Sequence, residues 1–298
     1  MKNIIKITTL ILMVMGCAKK EKEFTYQKSL FTKAEILLSN RGESTPIIWN
    51  AELLTMVSVQ TTWNSSNTGS IEIYKGTTLI SKTNATFSLA SAIVDNNALY
   101  VIGSRNWDLS ENSFYMKSTK DLINWTDEIQ VVSPKNGVIL YNNSVAKVGN
   151  KYVMTYETCE PNTVCFNIRF KISDDLINWT DIGEIYGASY YVACPTIRYF
   201  NGYYYMFYAV QVPDMEPACE TRITRSADLV NWNDGGVVLT PRDGYNKESI
   251  CDSDFDFVEY NGKLEVLYIE GNQKTWHNLR RAYYDGTFEN FINSISFQ

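Results

Sequence analysis

Histidine is the scarcest residue of this 298-residue sequence, which contains only His277. Because there is also no Cys-x-x-Cys pair and no Cys/His cluster, a zinc site is not expected, and no metal or other cofactor is predicted. Basic residues are too few to balance the acidic ones. The resulting net charge of −6 argues against nucleic acid or an anionic membrane surface as a partner, and neutral ligands remain open. Beyond the N-terminus, no apolar stretch approaches membrane length.

The first residues are predicted to be a targeting segment. Lys2 and Lys6 precede a short apolar run at residues 7–15, which is followed by Gly16 and Cys17. The run is too short to span a bilayer and has the layout of a secretory signal. Its end resembles a bacterial lipobox, which implies that residues 1–17 are a lipoprotein signal and that lipid on Cys17 anchors the chain in the bacterial cell envelope. An ordinary signal peptide with a chance cysteine is the alternative.

Residues 18–39 are then predicted to be a polar tether and lead-in. Export would place the other five cysteines in an oxidising compartment. Cys159 and Cys165 flank a short loop and could form a disulfide. Because three cysteines remain, one thiol is predicted to be free.

One short motif recurs along the chain. Asp-Leu-Ile-Asn-Trp occurs at 121–125 and 175–179, and Asp-Leu-Val-Asn-Trp at 228–232, so the tryptophans are 54 and 53 residues apart. Upstream of each motif, two apolar strands flank a tight turn, most clearly Asn201-Gly202 and Asn261-Gly262, which is a strong hairpin signal. Five such periods predict an all-β, five-bladed β-propeller with four antiparallel strands per blade over residues 40–298.

The layout of a blade predicts which rim is functional. The start of the first strand, the end of the second and the start of the third share one rim, and the repeated turns lie on the other. Those turns are expected to be structural, with Asp turning the chain and Trp packing between blades. Function is expected at the opposite rim, where loops converge on the central channel.

Aligning the hairpins identifies the residues that begin the five innermost strands. These are Glu43, Leu89, Asn142, Cys194 and Asp254. The two carboxylates among them, Glu43 and Asp254, are candidate catalytic groups, and Glu157 and Glu220 are candidates from the neighbouring loops. Carboxylates surrounded by exposed aromatic rings suit a sugar, whose C–H face stacks while its hydroxyls form hydrogen bonds. The candidate substrate-binding residues are Trp63, Arg105, Trp107, Asn143, Asp256, Trp276 and His277.

The repeated turns and the stretch at 195–208 resemble the five-bladed propeller glycoside hydrolases, the superfamily of families 43, 32, 68, 62 and 117. Family 43 enzymes carry a base in blade I, an Asp that modulates pKa in blade III and an acid Glu in blade IV. Glu43 matches the first position, with Glu in place of the usual Asp. Asn142 or Asn143 holds the second and Ala193-Cys194 the third, so the family 43 triad does not transfer whole.

Two further motifs place the chain closer to a divergent branch of that superfamily. Ser-Asp-x-Asp-Phe occurs at 253–257 and Gly-Asn-Gln at 271–273. Family 117, an α-galactosidase-type family with a histidine as acid, is an informative relative. The resemblance implies that His277 is the acid, or that Glu220 or Glu157 supplies it.

Two functions follow as hypotheses. The first is a glycosidase acting on an oligosaccharide or polysaccharide, with inversion favoured by the resemblance. Glycoside hydrolysis needs one protonated and one ionised carboxyl group, and a propeller channel can bring together acids that are distant in sequence. The second is a sugar-binding lipoprotein on the same scaffold that has lost its acid, with membrane contact only through the lipid.

Overall fold

The computed structural model describes residues 28–60, 69–105, 112–135, 137–212, 218–243, 246, 249–272 and 275–298. Within these ranges the chain forms twenty strands, a short 3₁₀ helix at Pro241–Asp243 and one α-helix, α1 (Phe288–Asn293). No helix among the described residues is long and apolar enough to cross a membrane.

The strands form five antiparallel blades around a channel. The first strand, β1, is Thr32–Ser39. Blades I and II consist of β2 (Ser44–Trp49), β3 (Glu52–Gln60), β4 (Gly69–Lys75), β5 (Thr78–Ala85), β6 (Ser88–Asp95), β7 (Ala98–Arg105), β8 (Ser113–Thr119) and β9 (Ile129–Val132). Blades III and IV consist of β10 (Ile139–Val148), β11 (Lys151–Cys159), β12 (Asn167–Ser173), β13 (Thr180–Tyr186), β14 (Val192–Phe200), β15 (Tyr203–Gln211), β16 (Cys219–Ser226) and β17 (Trp232–Leu239). Blade V consists of β18 (Cys251–Tyr260), β19 (Lys263–Gly271) and β20 (His277–Tyr284), with β1 outermost. The predicted five-bladed architecture is confirmed.

The start of the propeller differs from the prediction. Residues 18–39 were expected to precede it, yet Thr32–Ser39 pairs antiparallel with β20 as the fourth strand of blade V. The N-terminal strand thus closes the ring and covers an edge that would otherwise be exposed. This strand carries no turn motif and pairs with the far end of the chain, so no local pattern marks it. Lys33 fixes it: its buried ammonium donates to Asp252 at 2.7 Å and Asp243 at 3.0 Å.

Hydrophobic clusters occupy the five blade interfaces. A tryptophan of the repeated turns packs at three of them, and Trp232 of blade IV stacks on Phe170 of blade III with ring centroids 5.4 Å apart. The cluster between blades IV and V also includes Phe291 of α1, and the one between blades V and I includes Val57 and Leu279. The repeat tryptophans therefore join blades, as predicted.

The aspartates of the repeated turns bind the backbone of their own turn. Asp175 Oδ1 accepts the N–H groups of Ile177 at 2.9 Å and Asn178 at 2.8 Å. Leu176, between Asp175 and Ile177, has a φ of 65°. Asp121 and Asp228 make equivalent bonds in their turns.

Disulfides join Cys159 to Cys165 and Cys219 to Cys251, and Cys194 is free. The first bridge closes the loop that leads from β11 to β12. The second ties β16 of blade IV to β18 of blade V, which pair in parallel at these two residues alone.

Candidate active site

The channel mouth is shaped by a shared irregularity of the innermost strands. In blades II to V the register of the innermost strand shifts next to the residue that was aligned with Glu43. Leu89, Cys194 and Asp254 there have φ values of 49°, 50° and 52°. Left-handed backbone is unfavourable for a non-glycine residue, and bulges of this kind commonly re-aim a side chain beside a site. In blade I, Glu43 directly precedes β2, and its carbonyl accepts the N–H of Ser58 at 2.8 Å.

Carboxyl groups of blades I and V accept hydrogen bonds from the same side-chain amide of blade III. Asn142 Nδ2 donates to Glu43 Oε2 at 2.8 Å and to Asp254 Oδ1 at 3.1 Å. Ser253 Oγ donates to the other Asp254 oxygen at 2.6 Å. Both oxygens of Asp254 thus accept hydrogen bonds. Three residues that lie 99 and 112 positions apart in the sequence thus form one hydrogen-bonded group.

Burial raises the pKa of Glu43 well above its usual range, and the charges of Asp254 and Glu157 raise it further. The hydrogen bond from Asn142 acts in the opposite direction. A Glu43 that keeps its proton at neutral pH can donate it to the adjacent Asp254. Two buried carboxyl groups this close cannot both be ionised cheaply, which accounts for the direction in which the pKa of Glu43 shifts.

Glu157 is the third acid of the group. It lies on β11, is 4% exposed, and its Oε2 accepts the backbone N–H of Cys194 at 2.6 Å. Burial raises the pKa of Glu157 to about 8; the Cys194 N–H lowers it, and the charge of Asp254 raises it. Glu157 is therefore protonated at neutral pH and can serve as a proton donor.

Cys194 stands between Glu157 and Asp254. Burial raises the pKa of its thiol well above the ordinary value, and the charges of Asp254, Glu157 and Glu43 raise it further. A thiol in this state is a poor nucleophile. Its backbone N–H, rather than its sulfur, makes the contact with Glu157.

Two cavities open beside Glu43 and Asp254. The larger, of about 500 Å³, is within the usual size of small-molecule sites. Its described lining includes Glu43, Asp254, Arg41, Trp276 and His277. The smaller, of about 30 Å³, is bordered by Glu43, Asn142, Cys194 and Asp254, and it can hold a water molecule, which needs about 10–15 Å³.

His277 lies at the start of β20 on the wall of the larger cleft. Burial lowers the pKa of its imidazole; the charge of Asp254 raises it and that of Arg41 lowers it. Its backbone carbonyl accepts the N–H of Asn40 at 3.1 Å. Trp276 precedes it and lines the same cleft, with its N–H bonded to Asn272 Oδ1 at 3.2 Å.

Two of the predicted site residues lie elsewhere. Glu220 on β16 accepts from Thr240 Oγ1 at 3.3 Å and lies 3.8 Å from an Arg222 nitrogen. These contacts hold its carboxylate near Arg222 and Thr240 at the end of the outer strand β17. Arg105, at the end of β7, pairs with Glu128 and covers the Tyr115 ring at 3.4 Å from its centroid. These contacts hold its guanidinium on the outer half of blade II.

Asn143 and Asp256 border the smaller cavity but are engaged with the scaffold. Asn143 accepts from Ser91 Oγ at 2.8 Å and donates to the Ile102 carbonyl at 3.0 Å, which links blades II and III. Asp256 pairs with Arg198 of blade IV and accepts the Phe257 N–H at 2.7 Å. Trp63 and Trp107 lie outside the described residues.

Sequence reasoning missed part of the mouth. Asn142 was aligned with the other strand starts but was not named as a site residue. Phe166, partly exposed just after the Cys159–Cys165 bridge, meets Tyr141 and Tyr191 edge-on at centroid distances of 4.8 and 5.6 Å. Burial raises the pKa of both tyrosines, and the charge of Glu157 contributes in each case, so this aromatic wall borders Glu157. The sequence signal for this wall was that Tyr141 lies near the start of one innermost strand, β10, and Tyr191 directly before another, β14.

Among the described residues, no three His, Cys, Asp or Glu side chains are placed to hold a metal ion. No protein-family model matches the sequence. No curated protein is significantly similar to it.

Solved structures share the fold. An α-L-arabinofuranosidase from Lactobacillus brevis is similar with a TM-score of 0.63 and 10% identity, over 84% of this chain and 94% of that one. The GH43 endo-arabinanase from Bacillus licheniformis is similar with a TM-score of 0.55 and 12% identity, over 86% of this chain and 96% of that one. The GH93 α-L-arabinofuranosidase of Fusarium graminearum, solved with arabinobiose, is similar with a TM-score of 0.55 and 13% identity, over 82% of this chain and 77% of that one. At the level of fold, these confirm the resemblance to propeller glycoside hydrolases.

Proposed function

We propose that this protein is a glycoside hydrolase acting on an oligosaccharide or polysaccharide. One observation carries the proposal: Glu43 and Asp254, from two blades, border both a cavity that fits a sugar and one that fits a water, and Glu157 of a third blade lies close enough for its charge to interact with theirs. Glycoside hydrolysis needs such a set, with one carboxyl group protonated and another ionised. The structural neighbours named as arabinofuranosidases and an arabinanase support it by analogy of fold.

The geometry suggests a role for each acid. Glu157, protonated at neutral pH, is the proposed general acid for the leaving oxygen. Asp254 is the proposed base, and the small cavity at its side is where the attacking water would lie. Glu43 lies beside Asp254, and Asn142 orients both groups. The aromatic wall beside Glu157 would receive the leaving sugar.

Inversion is part of the proposal. An inverting pair stands about 6.5–9.5 Å apart so that water fits between its members. Glu43 and Asp254 cannot be that pair, because oxygens bound to one Asn142 nitrogen at 2.8 and 3.1 Å lie closer together than this. The opposed groups are therefore proposed to be Glu157 on one side and the Glu43–Asp254 pair on the other.

Activity on a panel of aryl glycosides and oligosaccharides tests the proposal. Glu157→Gln, Asp254→Asn and Glu43→Gln preserve shape, and each should lower turnover by about a hundredfold or more. Glu52→Gln, a half-exposed carboxylate paired with Lys75, is the matched control and should retain activity. Proton NMR of the first product should show the inverted anomer. Near-full activity in all three site variants would refute the assignment.

A sugar-binding protein without activity is the second candidate. It is favoured by Ala193-Cys194, which occupies the blade IV position where the resembling enzymes carry an acid. If the wild-type protein binds an oligosaccharide and never cleaves it, this function replaces the first.

The lipid anchor is a separate proposal, since residues 1–17 lie outside the described ranges. Cys17→Ala should move the protein from the membrane fraction of a bacterial host to the soluble fraction. Unchanged membrane retention would contradict it.

A further inference from the structure

The larger cleft has a basic side that the proposed hydrolysis does not use. Among the described residues that line it, Arg41 and His277 are the two that can carry positive charge, and Glu43 and Asp254 are the two acids. Arg41 is separated from Glu43 by Gly42 alone, so their Cα atoms are at most about 7 Å apart, and both residues line the cleft.

Close packing holds Arg41 and His277 on the same wall. The N–H of Asn40 binds the His277 carbonyl at 3.1 Å. A methyl group built on Gly42 would lie 2.8 Å from Ile269 Cδ1 and 3.8 Å from the His277 ring, so the 40–42 segment lies directly on β19 and β20. The charge of Arg41 also lowers the pKa of His277.

The obvious structural role for Arg41 is to neutralise the buried Glu72, but another cation already does so. Lys82 Nζ lies 2.8 Å from Glu72 Oε1, and the Tyr74 hydroxyl donates to Oε2 at 2.6 Å. Arg41 Nε reaches Glu72 only at 3.4 Å. Glu72 thus faces two cations. Of these, Arg41 is the one that also borders the cleft, with its Nη1 donating to the Asn40 carbonyl at 3.2 Å.

From this arrangement we infer that the cleft accepts a sugar bearing an anionic group, either the carboxylate of a uronic acid or a sulfate ester. The anionic group would bind Arg41, with His277 as a second donor and Trp276 beside the ring. This inference rests on the proposed function for the identity of the ligand as a sugar. An anion placed near Glu43, Asp254 and Glu157 would be repelled unless a cation faced it, and Arg41 supplies that cation.

Binding to the chain without residues 1–17, which removes the predicted signal together with the lipid-bearing Cys17, tests the inference without turnover. Galacturonic and glucuronic acids are titrated by NMR against galactose and glucose, and galactose 6-sulfate forms a third arm. At least one anionic sugar should bind tenfold or more tightly than its neutral counterpart. The uronic acid and sulfate arms identify the source of the charge. Equal affinity for neutral and anionic sugars in every arm would overturn the inference.

Arg41→Gln and Lys82→Gln form a matched pair, because each removes one cation from Glu72. Arg41→Gln should abolish the preference for the anionic sugar, a loss of about tenfold or more expected for a charged hydrogen bond. Lys82→Gln should retain it. Equal losses in both variants would show that Arg41 acts only through Glu72. If Arg41→Gln does not fold, His277→Gln should still reduce the preference, and an unchanged preference there would contradict the inference.

The two proposals fail separately. Selective binding of an anionic sugar without cleavage of any glycoside would leave this inference standing and refute the hydrolase. Cleavage of neutral glycosides by wild type and Arg41→Gln at equal rates would do the reverse.

Discussion

The pKa values of carboxyl groups are shifted in opposite directions at the two rims of the propeller. At the rim of the repeated turns, hydrogen bonds from backbone N–H groups lower the pKa of Asp121 and Asp175 to about 2. The largest contribution comes from the N–H of Asn124 for Asp121 and from that of Asn178 for Asp175. At the channel mouth, burial raises the pKa of Glu157 to about 8 and that of Glu43 well above its usual range.

The contrast follows from how each group is solvated. A turn aspartate is exposed to water and accepts two backbone N–H groups and an amide, all of which favour the charged form. Glu157 accepts one N–H and is otherwise enclosed by protein, and Glu43 lies against another acid. The turn aspartates therefore favour the ionised form, which binds the backbone of the turn, whereas the buried Glu157 at the channel mouth favours the protonated form.

The largest expected effect comes from removing the buried acid. The folded pKa of Glu157 lies above the unfolded value of 4.5, so the contribution of Glu157 to stability is fully present below pH 4.5 and is lost as pH rises through about 8. Glu157→Gln lacks this decline and should gain up to about 4 kcal/mol over wild type at pH 8, relative to their difference at pH 4. Urea unfolding between pH 4 and 8 measures this.

Glu52→Gln is again the control, and its stability should run parallel to wild type across this range. Parallel curves for Glu157→Gln as well would show that Glu157 is ionised in the folded protein. The same titration should lower wild-type turnover as pH rises through about 8, because the general acid loses its proton.

A smaller effect is expected at Asn142, which joins the two acids of the pair. Asn142→Leu keeps the size and removes the donor, so the pKa of Glu43 should rise further, since this bond lowers it. Turnover should decrease roughly tenfold, as for the loss of one hydrogen bond to a charged group. The pH–rate profile is the measurement, and the limb that reports the pair should move to higher pH. An unshifted profile would mean that Asn142 does not act on the pair.

The smallest effect is expected at the opposite rim. Asp175→Asn should leave turnover unchanged, because the turn lies far from the mouth, and should lower the melting temperature at neutral pH. The wild-type pKa is lowered from 3.8 to about 2, so this contribution is present above pH 3.8 and is lost as pH falls through about 2. Thermal unfolding at pH 7 and pH 3 should therefore show a smaller difference at pH 3. A difference that grows on acidification would contradict the ionised turn.

Local patterns in the sequence were enough to predict the blades. Asn-Gly turns, alternating strands and the recurring Asn-Trp turns act within a few residues of themselves, so five periods could be counted and the functional rim assigned. The same alignment placed Glu43 and Asp254 at equivalent strand starts. Hence the fold, and the presence of Glu43 and Asp254 beside one cleft, could be predicted without tertiary information.

Contacts between distant segments required the tertiary structure. Strand β1 closes the ring against β20, the bridge from Asn142 joins Glu43 to Asp254, and Arg41 reaches the cleft beside His277. Nothing near these residues in sequence specifies their partners. Likewise Glu157 and Glu220 are both glutamates on central strands of a blade, but only one is enclosed at the mouth. Solvation and neighbouring charge decide which carboxyl group keeps a proton, and both are set by residues from other blades.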